Sequence, residues 1–125
     1  MSHQYRLFDA GPDPFGRMWK VQFRWLQTGI SIRHADTVDV KFFIASDTAA
    51  REEKVIALPQ AALLELSRRT GRKITDPFCM RLAALHLKRM IETWEDIDKT
   101  LVTVSSQELA DYDRQLHGET VPQLA

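Results

Sequence analysis

The sequence predicts an α+β domain, with an antiparallel sheet of three to four strands over about residues 17–58 packed by three C-terminal helices over about residues 59–117. Two changes in pattern lead there. Before Leu58, Trp19, Val21, Phe23 and Trp25 alternate with Lys20, Gln22 and Arg24, the two-residue period of a strand with one buried face. After it, Leu63, Leu66, Leu82, Leu85, Met90 and Trp94 recur at the three- and four-residue steps of helices. Strands first and helices second excludes alternating βαβ units. It therefore excludes phosphate sites built on a strand that feeds a Gly-rich turn.

Residues 1–16 read as an arm. Asp9 to Gly16 concentrates Gly, Pro and Asp, which favours turns or extended backbone over a regular element. Tyr5, Leu7, Phe8 and Phe15 are too apolar for a solvated tail, so the arm is expected to dock on its own body or on a second copy. A first strand spans about residues 18–26, Thr28-Gly29 offers a turn, and Ile30 to Arg33 opens a second strand. Ala35-Asp36-Thr37 is the next turn. Val38, Val40, Phe42 and Ile44 then share one face, with Asp39, Lys41 and Phe43 opposite. Polar residues 46–53 read as a loop, and Lys54 to Leu58 as a last strand. Short connections favour antiparallel pairing.

Pro59 suits a first helical turn, and Gly71 suits a left-handed cap at the end of that helix. Asp76-Pro77 repeats the start signal for the longest helix, which runs to at least Thr93, with a cap at Thr93 to Asp96 that restarts it as the alternative. Thr100 to Val104 is a short β-branched run. Ser105-Ser106-Gln107-Glu108 is a capping box for a final helix that places Leu109, Tyr112 and Leu116 on one face and stops at Gly118. The organisation is thus an arm (1–16), one domain (17–118) and a tail (119–125). The expected core is Trp19, Val21, Phe23, Val40, Phe42, Leu63, Leu66, Leu82 and Leu85.

Composition narrows the function classes. Seventeen basic and seventeen acidic residues cancel, so no global field attracts nucleic acid or an anionic membrane. A single cysteine, Cys79, excludes an internal disulfide and a Cys-based zinc site. No apolar run reaches the roughly 18 to 20 residues of a membrane span, and the first residues lack a secretory apolar stretch. The expectation is a soluble cytoplasmic protein.

Local charge is uneven. Seven basic residues against the single acid Asp76 lie between Ser67 and Arg89. Arg68, Arg69, Arg72 and Lys73 are therefore the candidate phosphate or nucleic-acid contacts. The alternative is that these charges complement a helix end and pair with the acidic stretch downstream. On the first strand, Lys20, Gln22 and Arg24 fall opposite the aromatics. That separates the cations from the stacking platforms a single-strand binder needs.

Cys79 sits near a helix start, which lowers a thiol pKa. His86, however, is about 10 Å further along the helix, too far for a dyad. Glu92, Glu95 and Asp96 share a helix face without any metal-ligand spacing. No nucleophile elbow, Walker loop or dinucleotide turn is present, and no cofactor or metal is expected. The sequence points to a non-catalytic domain acting through protein–protein contacts, as a homodimer using Tyr5, Leu7, Phe8 and Phe15. A nucleic-acid module on segment 68–89 and a small-molecule enzyme with a scattered site are the alternatives.

Overall fold

The computed structural model describes residues 6–29 and 36–117. Its five strands form one sheet in chain order, β1 (Leu7–Ala10), β2 (Trp19–Gly29), β3 (Thr37–Ser46), β4 (Glu52–Pro59) and β5 (Leu101–Thr103). The helices are α1 (Gln60–Thr70), α2 (Asp76–Thr93) and α3 (Ser106–His117), with β5 between α2 and α3. The α+β class holds, but the sheet is wider than three to four strands and is mixed. β1 to β4 pair antiparallel, while β5 lies parallel to β4. The run through α1 and α2 supplies the length that a parallel return requires.

The other added strand comes from the arm, where no regular element was expected. The Gly-Pro-Asp cluster begins only at Asp9, leaving the preceding residues free to alternate. Phe8 and Ala10 face the core, and Leu7 and Asp9 face outward. Gly11 then turns the chain at φ 125°, where a Cβ would lie 2.9 Å from the Arg17 carbonyl oxygen. Asp13 holds the rest of the turn. Its buried carboxylate accepts from the Phe15 and Arg17 amides, the Arg17 Nε and the Trp19 indole, each at 2.9 Å. Burial alone would raise this pKa, but the indole, the two amides and the guanidinium outweigh it and bring it down to about 2. Phe15 packs edge-on against Trp94 at 5.7 Å, so the arm is docked on its own body.

Thr28-Gly29 belongs to β2 rather than to a turn, and the strand expected at Ile30 to Arg33 falls outside the described residues. β2 also carries a bulge. Phe23 stands opposite Phe42 and Trp25 opposite Lys41, leaving Arg24 as the extra residue.

The core lies between the inner sheet face and the helices. Val21, Val40, Phe42, Ile44, Ile56 and Leu58 meet Leu63, Leu66, Leu82, Leu87, Met90 and Leu109. Of the expected core, Phe23 and Leu85 are only partly buried, at its rim.

The caps follow local chemistry. Gly71 ends α1 at φ 76°. The N-cap of α2 is Thr75, one residue before the expected Asp76, because its side chain accepts from the Phe78 amide at 3.2 Å. Trp94 ends α2 in the left-handed region, so the alternative of a break at this point is the one the structure adopts. Ser105 and Glu108 exchange both capping-box bonds, at 2.9 and 3.1 Å.

Candidate interaction surface

All three helices feed the one core on the inner face, so among the described residues no helix covers the outer face. Register sets what that face displays. One row across the strands is Leu7, Gln22, Phe43 and Glu53, and the next is Trp25, Lys41, Val55 and Leu101. Leu7, Trp25 and Leu101 are 63%, 37% and 57% exposed, while Phe43 and Val55 are half-buried.

The bulge changes the chemistry of this face. Regular alternation would put Trp25 inward with Phe23. The extra residue instead turns both Arg24 and Trp25 outward over Lys41. Three cations then converge on the Phe43 ring, with Arg24 at 5.1 Å, Lys41 at 5.6 Å and Arg51 at 4.2 Å. Lys41 also lies 5.5 Å from the Trp25 ring. The separation of cations from aromatics read in the sequence is thereby reversed at this position. Lys41 pairs with Glu53 at 3.0 Å and Lys20 with Asp9 at 3.2 Å. Among the described residues, neither Arg24 nor Arg51 makes an ion pair.

The arm candidates are dispersed. Tyr5 lies outside the described residues, Leu7 is on the outer face, Phe8 packs inward, and Phe15 is 69% exposed beside Arg17 and Trp94.

The basic segment is largely committed within the molecule. Arg72 donates bidentately to the buried Asp113, Nε to Oδ1 at 2.9 Å and Nη2 to Oδ2 at 3.0 Å. Arg68 pairs with Glu65, Lys88 with Glu92 at 3.3 Å, and Arg89 with Glu108 at 3.3 Å. Arg69 and Lys73 are exposed. Two of the four candidates, Arg68 and Arg72, are therefore already paired with acids of this chain.

A buried polar pair between α2 and α3 escaped sequence reading. His86 Nδ1 lies 2.7 Å from the Tyr112 hydroxyl, which also accepts from Arg89 at 3.4 Å. The hydroxyl has one proton and two lone pairs, so it can donate to His86 Nδ1 or accept from it, according to the tautomer of the ring. A His-to-Tyr span of 26 residues leaves no local signature. Burial lowers the His86 pKa, with Arg89 acting the same way and Glu108, Asp96 and Glu95 opposing. Below about pH 6.5, the ordinary value, the unfolded chain binds the proton that the folded state resists, so stability falls with pH there. Urea midpoints should drop on acidification through that window, and His86→Gln should flatten the drop; an equal slope in the variant would assign the effect elsewhere.

Burial, reinforced by Asp76, pushes the Cys79 thiol up to about 11, which keeps it protonated and poorly nucleophilic at neutral pH. Among the described residues, no group of three or more His, Cys, Asp or Glu could hold a metal ion, and no helix is long and apolar enough to cross a membrane. A shallow cleft of about 280 Å³ is lined by Arg6, Phe23, Trp25, Leu26, Asp76, Pro77 and Met80. Its one acid, Asp76, has neither a histidine nor a nucleophile beside it in that lining.

No protein-family model, curated protein or solved structure matches this chain.

Proposed function

We propose that this chain is a non-catalytic, cytoplasmic contact domain that self-associates as a two-fold homodimer through β1 and the arm around it. The observation that carries the reading is the open edge of β1. The Phe23 amide donates to the Arg6 carbonyl at 2.7 Å. In an antiparallel ladder this alternation turns the Leu7 and Asp9 backbone groups away from β2. Among the described residues those groups have no strand beside them and form a sheet edge; Leu7 is exposed on β1, and Phe15 and Met18 are exposed in the segment that follows it. Antiparallel pairing of β1 with its copy satisfies them and closes the assembly at two chains.

The sequence-level expectation that the arm mediates contact is kept, with its roles divided. Phe8 anchors the arm at home, while Leu7 and Phe15 face outward. Removing residues 1–16 would confound the test, because it also removes Phe8 from the core and Asp13 from Trp19. Leu7→Pro is cleaner: it deletes an amide that the β1–β2 ladder does not use. Light scattering should give a dimer for the full chain at roughly tens of micromolar and a folded monomer for Leu7→Pro. A monomeric full chain, or a variant that dimerises unchanged, overturns the proposal.

A further inference from the structure

We infer that the outer-face cluster of Arg24, Trp25, Lys41, Phe43 and Arg51 is a binding site for single-stranded nucleic acid, a role separate from self-association at the β1 edge. Three features of this face require an explanation together. First, two guanidiniums from different segments, the β2 bulge and the turn before β4, are held over one ring without a carboxylate partner. An aromatic face positions a guanidinium while leaving its N–H groups free to donate. Second, Trp25 stands beside this pair, more than a third exposed, at the bulge of the β2–β3 ladder. A bulge that brings an indole and an arginine onto the same face is a device for re-aiming side chains. Third, among the described residues no helix covers this face, and Gln22 and Gln27 are exposed on the same strand.

The ligand chemistry follows. An exposed indole takes a base by stacking, which every base permits, and the arginines take the flanking phosphates. Lys41 is half-neutralised by Glu53 and contributes less. Asp39, further along β3, accepts from the Thr37 hydroxyl at 2.8 Å. The acids Asp9, Asp39 and Glu53 share the outer face, which limits the affinity and places binding at low salt. A duplex presents its bases edge-on and stacked, so it offers nothing to Trp25.

The test is a titration of the full chain with ten-residue oligo-dT and oligo-U, read by tryptophan quenching and by anisotropy of labelled strands. Saturable binding at low salt is expected, with log affinity falling against log salt at a slope of about −1.4 for two neutralised phosphates. Arg24→Gln with Arg51→Gln should weaken binding at least tenfold and remove most of that slope. Trp25→Leu should weaken it by roughly tenfold and abolish the quench. All three positions are on the surface, and circular dichroism checks that the variants fold. Arg69→Gln with Lys73→Gln should leave affinity unchanged, and so should Leu7→Pro, which separates this site from the dimer edge. The inference fails if no saturable binding occurs, if a duplex of equal length binds as well, or if the Arg69/Lys73 pair rather than the Arg24/Arg51 pair carries the loss.

Discussion

Replacing Phe42 with alanine will destabilise the domain by about 3–5 kcal/mol, the cost of emptying a buried aromatic site that cannot collapse. Phe42 is fully buried on the inner face of β3. It stands opposite Phe23, ring to ring at 6.1 Å, and opposite Lys54 on β4. Paired strands flank it on both sides and the helical layer closes over it, so no neighbour can move into the space. Small domains have a total stability of about 5–15 kcal/mol, and the variant should be close to unfolding at room temperature. Phe23→Ala, at the rim, should cost less than half as much, because its ring already meets solvent. Urea denaturation with an unchanged m-value decides the comparison. Equal losses at the two positions would mean that the inner face has been assigned wrongly.

Lys54→Met should cost about 2–4 kcal/mol, a large effect for a substitution that raises hydrophobicity. Lys54 is 1% exposed. Its ammonium donates to the Ile97 carbonyl and, at 2.9 Å, to the Lys99 carbonyl, with Glu52 Oε1 at 3.3 Å. Methionine keeps the length and the packed stem but offers no donor, so two carbonyls in the loop after α2 lose their partner. Each part-buried carbonyl that loses its donor costs roughly 1–2 kcal/mol. The loss should also have a location. The Val55 amide donates to the Thr100 carbonyl at 2.7 Å, which ties the same loop to β4. Hydrogen exchange should therefore show β5 losing protection before the rest of the sheet. A variant as stable as the parent, with β5 still protected, would show that the loop holds itself.

Both cases mark where sequence reading stops. Phe42 was legible because a strand with one buried face writes its period into the sequence. Lys54 was legible only as a strand residue. Its partners lie 43 and 45 residues away and are backbone carbonyls, which every residue carries. That the basic segment pairs with the downstream acids was legible as an alternative, but not that Arg72 meets Asp113; the His86–Tyr112 pair, 26 residues apart, left no local trace. Of the candidate site, Phe43 was seen to lie outside the core face, while Trp25 was assigned to the wrong side. The alternation rule assumes an unbroken ladder, and the bulge at Arg24 breaks it.

The sequence by itself determined the α+β class, the division at Leu58, the helix termini to within a residue, and seven of the nine core residues named from it. These depend on interactions within one turn or between alternate residues, and the pattern of side chains records them directly. Only the tertiary structure decided that the arm supplies β1, that β5 returns parallel to β4, and that Arg24, Trp25 and Arg51 meet around Phe43. Each of those depends on which strand lies beside which and in what register. That choice follows from the packing of the whole core, where residues far apart in the chain contribute together.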